Sequence, residues 1–393
     1  MCCLKGQKFF MQIITTTAAL EELVSRFEKH PYFTIDTEFM RESTFWPILC
    51  LVQMATEEES TIIDPMAKGI DLAPLFRLMQ NEKVLKVFHA GRQDLEIFHH
   101  LTGEVPSPIF DTQVAAMVCG FGESVGYDTL VAKVTGKGVD KSSRFTDWSR
   151  RPLSERQLVY AEADVTHLRD IYRYLSKKLE ESGRAEWVAA EMDILRSPET
   201  YYMPPEQAWT RIKARSTHPK FLAVLQSVAA WRERQAHRQD IPRNRILRDE
   251  ALLEIASNPP KSPEQLSHVR GIGTKFAEGK MGKGLLEAIE AGVSLPPDQA
   301  PQLPKRTPPP RGIGPLMELL RVLLKLRCEE NEVAQKLVCS LAELELIAAD
   351  NYADVPALEG WRRRIFGEDA LRLKNGEIAL SCKDGQIRII SLV

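Results

Sequence analysis

Two carboxylates alternate with other side chains in Phe33-Thr34-Ile35-Asp36-Thr37-Glu38-Phe39. A third stands at Asp94 in HAGRQDLEIF, and a fourth, Asp164, follows Tyr160 by four positions in YAEADV. Carboxylates without thiolates or a histidine set suit hard divalent cations, Mg²⁺ or Mn²⁺, better than zinc. Two such ions about 3.5–4 Å apart lower the pKa of an attacking water and stabilise the leaving oxygen of an in-line phosphoryl displacement. Tyr160 would position that water; with a free phenol pKa of about 10, orientation is the safer role than proton removal. Each piece alone has an ordinary explanation. Asp-x-Glu triplets arise from composition, a carboxylate in the first turn of a helix is favoured by the helix dipole, and a helical tyrosine is usually core. The combination is far more specific than its parts.

For these side chains to meet, a strand, a post-strand helix and a later helix must converge. An extended 33–39 segment puts Phe33, Ile35, Thr37 and Phe39 on one face and Thr34, Asp36 and Glu38 on the other. Asp36 and Glu38 then lie about 7 Å apart along the strand. Burial of such a pair is costly without a compensating cation or hydrogen bonds. ILCLVQMA (48–55), STIID (60–64) and VLKVF (84–88) read as further strands, and 72–80, 92–101, 112–119 and 154–180 as helices. Asp94 falls in the first turn of one helix, and His89 at the preceding strand end. The last helix opens with the capping-box spacing Ser154-x-x-Gln157 and carries Tyr160 and Asp164 on one face. Val165, Leu168, Ile171 and Leu175 supply its packing positions. Three strands with short connections, followed by strand–helix alternation, predict an α/β unit: a mixed sheet flanked by helices.

From Tyr201 onward the pattern reads as all-α, with helices separated by Pro and Gly signals such as Pro204-Pro205, Ile241-Pro242 and Gly271-Ile272-Gly273. Residues 291–315 hold eight prolines and read as a semi-rigid spacer before a second helical module. EALLEIA (250–256) and AELELIA (342–348) are similar enough to indicate two versions of one helical unit, although helix-friendly composition also produces such matches. The 393 residues suit two or three domains. Composition, 44% hydrophobic and 27% charged, argues against a disordered chain or a membrane bundle. No run approaches the roughly 18 apolar residues of a spanning helix. MCCLKGQKFF is too short for a signal peptide, Met11 is a more typical start, and residues 1–11 read as an extension. Seven cysteines without a CxxC pair point to a reducing cytoplasm rather than a disulfide or zinc framework.

Charge is unevenly spread. Residues 1–196 carry 23 basic and 29 acidic side chains, and 197–393 carry 29 and 25. Within 208–248, ten Arg and Lys face only Glu233 and Asp240. Such a cluster is either a polyanion-binding surface or a solvated helical face.

With its motifs in this order, the sequence resembles the DEDD exonuclease superfamily, tyrosine subtype, and within it the ribonuclease D family, closely over about 12–290 and loosely beyond. Asp36 and Glu38 in FTIDTEFMRESTFWPILCLVQ match the first motif, Asp94 the second, and Tyr160 with Asp164 in YAEADVTHL the third. The resemblance implies a ribonuclease H-like exonuclease domain over 12–200 and 3′→5′ hydrolysis of RNA to nucleoside 5′-monophosphates. It further implies two divalent cations, with Asp36, Glu38 and Asp164 holding one, Asp36 bridging to the second and Asp94 supporting that ion through water. Residues 212–290 resemble the helical domain shared by helicases and ribonuclease D (HRDC). This places a first such domain at 201–291, a Pro-rich linker at 292–311 and a diverged second copy at 312–393, which lacks the Gly-x-Gly.

The expected partner is RNA, a tRNA precursor or another structured RNA with a single-stranded 3′ end, with no membrane and no protein partner inferred. Contacts near the terminal nucleotide are expected from Phe45, Trp46, His89, Arg144, Trp148 and Arg150. In the loop Ser142–Leu153, cations and aromatics could hold phosphates and stack a base, or Trp148 could simply anchor the loop. Arg232, Arg234, Arg238, Arg243 and Arg245 are expected to form an RNA-holding arm. The competing readings are a DNA exonuclease of the proofreading type and a noncatalytic RNA-binding scaffold.

Overall fold

The strand that carries Asp36 and Glu38 lies in the interior of the sheet. The computed structural model describes residues 12–214, 216–303, 310 and 312–392; the expected extension at 1–11, Arg215 and part of the linker lie outside the described residues. Strands β1 (Gln12–Ile14), β2 (Tyr32–Met40), β3 (Ile48–Ala55), β4 (Ser60–Ile63), β5 (Leu85–Phe88) and β6 (Ile109–Asp111) form one sheet in the order β1-β4-β3-β2-β5-β6. β2, β3 and β4 pair antiparallel, whereas β1–β4, β2–β5 and β5–β6 pair parallel. The topology follows from the connections: short turns allow the antiparallel pairs, and parallel neighbours need helical crossovers. β1 and β6 were not expected from sequence, because three residues are too few to show alternation.

Helices α1 (Thr17–Phe27), α2 (Ala73–Met79), α3 (Arg92–Thr102), α4 (Thr112–Val118), α5 (Tyr127–Thr135), α6 (Glu155–Glu181) and α7 (Ala185–Arg196) flank the sheet. Phe33 and Ile35 of β2 enter the main core with Leu20, Leu23 and Phe27 of α1. The opposite face of β2 is covered by α6, where Thr34 Oγ1 donates to Val165 O at 2.8 Å. Both limbs of the Ser154–Gln157 capping box are present, so α6 begins where its sequence signal puts it.

The first helical unit contains α8 (Pro219–Gln239), α9 (Arg243–Ile246), α10 (Asp249–Ser257), α11 (Pro263–Ser267), α12 (Thr274–Ala277) and α13 (Lys280–Ser294). α13 continues to Ser294, past the expected boundary at 291. The second unit begins in the same way with α14 (Gly314–Glu330), α15 (Gln335–Val338) and α16 (Leu341–Ala349). The likeness is detailed. Asp240 after α8 and Glu332 after α14 both take left-handed backbone, at φ 47° and 49°. The next N–H reaches back each time, from Ile241 to Ala236 O and from Val333 to Cys328 O, the Schellman closure of a helix. The units then diverge, the second continuing through α17 (Gly360–Arg362), a π-helical turn and α18 (Glu368–Lys374).

The expectation that this half is all-α needs correction, because it ends in the hairpin β7 (Ile378–Lys383) and β8 (Gln386–Ser391). Its turn is Asp384-Gly385, both at positive φ, the dipeptide that suits a tight hairpin. The first unit keeps its own core, whereas the second shares one continuous core with the sheet domain. Ala334 N donates to Met117 O at 2.9 Å, and Trp361 stacks on Trp187 at 4.5 Å. Among the described residues no helix is long and apolar enough to cross a membrane.

Candidate active site

Asp36 and Glu38 project from β2 toward α6, and Asp164 projects back from α6. One carboxylate oxygen from each lies within 4.8 Å of the others. Asp94 is placed differently. Thr37, on the other face of β2, donates its hydroxyl to the Asp94 carboxylate, which therefore sits beside the three-carboxylate group rather than within it. The turn that aims Asp94 is tight: Ala90 has φ 55°, and a Cβ on Gly91 would fall 2.5 Å from the Phe88 Cβ. Asp111 ties this turn down by accepting from Ala90 N at 3.1 Å and Gly91 N at 2.8 Å.

Burial makes these acids hard to ionise. It raises Asp36 to about 8, with the Asp164 charge adding to the effect, and raises Asp164 to about 7 against the pull of its Tyr160 hydrogen bond and Arg144. Burial followed by repulsion from Asp36 and Asp164 pushes Glu38 up, and burial followed by Asp36 does the same to Asp94. Such a centre holds protons until a cation replaces them. The Tyr160 phenol is also pushed up, first by burial and then by Asp164. A raised phenol pKa suits orienting a nucleophile through its hydroxyl. The donor set, three clustered carboxylates with no thiolate, fits Mg²⁺ or Mn²⁺.

A cleft of about 280 Å³ opens on this group and is lined by Asp36, Tyr160 and Asp164 together with His89, Lys141 and Arg144. His89 Nδ1 lies 3.0 Å from Thr112 Oγ1, and burial lowers its pKa, keeping the ring neutral. Arg144 faces the acids, and its guanidinium lies 5.2 Å from the ring centre of Phe145, which is 91% exposed. Trp148 is a correction. It is 2% exposed and packed with Cys50, Leu51, Ile62 and Ala161, so its ring offers no face to a base. Arg150 is at the surface, paired with Asp147 at 3.2 Å.

Sequence reasoning missed the residues that hold this framework. Arg151 reaches both Asp64 oxygens at 2.7 Å and the carbonyls of Cys50 and Trp148 at 2.8 Å, clamping the loop onto the sheet. Tyr127 OH donates to Ala163 O at 2.9 Å and Asp164 O at 2.7 Å, fixing α6 where its acid emerges. No local pattern marks either residue.

Comparison with known proteins accords with this geometry. A family model described as 3′-5′ exonuclease matches residues 11–180, and the HRDC domain model matches 221–289. Ribonuclease D of Nitrobacter hamburgensis is 49% identical over 377 residues, covering 96% of this chain and 98% of its own. The chain belongs to the ribonuclease D family. Ribonuclease D of Gluconacetobacter diazotrophicus is likewise 49% identical, covering 96% of each chain. The crystal structure of Escherichia coli RNase D, described as an exoribonuclease involved in structured RNA processing, superposes with a TM-score of 0.79 at 31% identity, covering 93% of this chain and 99% of that one. The protein is a 3′→5′ exoribonuclease, with a ribonuclease H-like sheet domain followed by a helical HRDC region. The DNA-exonuclease and scaffold readings are not favoured.

In this chain the residues expected to contact the terminal nucleotide or form the arm have divergent surroundings. Phe45 and Trp46 form the junction with the first helical unit: Asp240 Oδ1 accepts from Phe45 N at 3.1 Å and Trp46 N at 3.0 Å. Trp46 stacks on His100 at 4.0 Å, and Arg243 lies over Phe45. Both aromatics line an interdomain cavity, separate from the carboxylate cleft. Arg232 is a second correction. Its side chain is 3% exposed and bound to Asp249 at 2.7 Å and Leu247 O at 2.9 Å, so it is structural. Arg243 is engaged by Glu233 at 2.8 and 2.6 Å, and Arg234 by Glu206 at 2.9 Å. Arg238 and Arg245 are exposed. Arg245 lines a cavity of about 540 Å³ with Arg248 and Arg270, two cations absent from the expected arm.

Proposed function

We propose that this exoribonuclease trims the single-stranded 3′ ends of structured RNA, tRNA precursors among them, releasing nucleoside 5′-monophosphates in a reducing cytoplasm. The observation that carries the reading is the convergence of Asp36, Glu38 and Asp164 within 4.8 Å beside a cleft edged by Lys141 and Arg144. Divalent cations bound there supply an activated water and neutralise charge on the phosphoryl group. In this reading Asp36, Glu38 and Asp164 would hold Mg²⁺ or Mn²⁺, with Asp94 beside them supporting the cation site.

The chain's own side chains do the rest. Tyr160, protonated and hydrogen-bonded to Asp164, orients the nucleophile toward the scissile phosphate. Arg144 and Lys141 attract the phosphates of the terminal nucleotides into the cleft, and neutral His89 lines its wall. The exposed Arg238 and Arg245 hold the RNA body. The free cysteines, four of the five described ones being buried, support a reducing compartment.

The experiment compares a tRNA precursor carrying a single-stranded 3′ trailer with the same trailer as free RNA and as DNA. Faster trimming of the precursor, ending near its folded body, is expected. Equal rates on RNA and DNA, or indifference to the folded body, would overturn the substrate assignment.

A further inference from the structure

Gln53 is 0% exposed, and both the nitrogen and the oxygen of its amide are buried without a hydrogen-bond partner. Such a group is costly, and an apolar side chain of similar volume would serve the fold at least as well. Its position gives the amide another purpose. On β3, Gln53 stands directly opposite Asp36 of β2, on the face covered by α6. Cross-strand partners on one face have Cβ atoms about 5 Å apart, within reach of an amide. Its neighbour on the other side is Ile62 of β4, in the apolar cluster with Ala161, which offers no polar partner. The carboxylate directly across the strand pair from this amide is that of Asp36.

We infer that Gln53 is a positioning residue for Asp36: its amide N–H holds the ionised carboxylate in the orientation that binds a divalent cation. The inference rests on the proposed role of the carboxylates as cation ligands. A neutral donor suits this place. It favours the charged carboxylate and fixes its rotamer, yet adds no positive charge to repel the cation, as Lys or Arg would. Donors behind a ligand of this kind commonly change metal affinity by about 10- to 100-fold when removed.

The test uses the full chain without RNA. Mn²⁺ is titrated by calorimetry into the wild type, Gln53→Met, Gln53→Leu and Asp164→Ala, and the metal-free Tm of each is recorded. Gln53→Met is expected to keep or raise Tm while weakening Mn²⁺ binding about 10- to 100-fold. Trimming of a short RNA should fall at low Mn²⁺ and recover at high Mn²⁺, with KM for RNA unchanged. Wild-type-like Mn²⁺ affinity in both Gln53 variants overturns the inference, as does a large loss of Tm with affinity retained. Failure of the wild type to bind Mn²⁺, or wild-type binding by Asp164→Ala, overturns the carboxylate reading itself, so the two failures are distinguishable.

Discussion

Four acids crowded together, Asp94 and Asp164 buried and Asp36 and Glu38 half-buried, form a centre under electrostatic load. The folded pKa values of Asp36 and Asp164 lie above the usual carboxylate range, so the folded state keeps protons that the unfolded chain releases. The contribution these two acids make to stability is therefore fully present below about pH 4 and is lost as pH rises toward about 8. Metal-free protein should show a lower Tm at pH 8 than at pH 5, and Mg²⁺ should raise Tm more at pH 8, where it replaces the lost protons. Asp36→Asn should flatten the pH profile; a profile parallel to wild type would separate these acids from the effect. Sequence made the acids legible because the chemistry itself fixes residue type and order. It could not reveal Thr37, Tyr127 or Gln53, whose roles come from neighbours across a sheet or from another helix.

Elements decide which of the motif-adjacent residues are available. The loop before α6 reads as a mixture of cations and aromatics, but the Arg151–Asp64 clamp turns it so that Trp148 enters the core and Phe145 faces solvent. Trp148→Ala should cost about 3–5 kcal/mol in denaturant unfolding, whereas Phe145→Ala should leave stability unchanged. The reverse ranking would contradict this view of the loop. β2 to β5 were readable from their alternation, and α6 from its cap. β1 and β6 were too short to be seen. The terminal hairpin does carry a local signal, Asp384-Gly385 between apolar runs, but its two six-residue strands follow a long helical stretch whose pattern dominates the segment.

At the scale of the molecule, the two helical units open with the same helix arrangement but dock differently, the first through Asp240, Phe45 and Trp46 and the second by merging its core with the sheet domain. Basic charge counted along the sequence overstates the surface, since Arg232 is consumed internally. Reversing Arg238 and Arg245 to Glu should weaken binding to long RNA and reduce its salt dependence, leaving cleavage of a short oligonucleotide and Tm near wild type; equal losses on both RNAs would argue against an arm. If the clustered carboxylates hold the cations, stepwise hydrolysis depends on both the acids and the metal. The most direct test is digestion of a 5′-labelled RNA by wild type and Asp164→Ala, with Mg²⁺ or with chelator, read at single-nucleotide resolution. A progressive ladder from the 3′ end is expected only for wild type with Mg²⁺, at equal folding and RNA binding; a ladder that persists in the variant or in chelator, or a single internal cut, would contradict the role of the carboxylates.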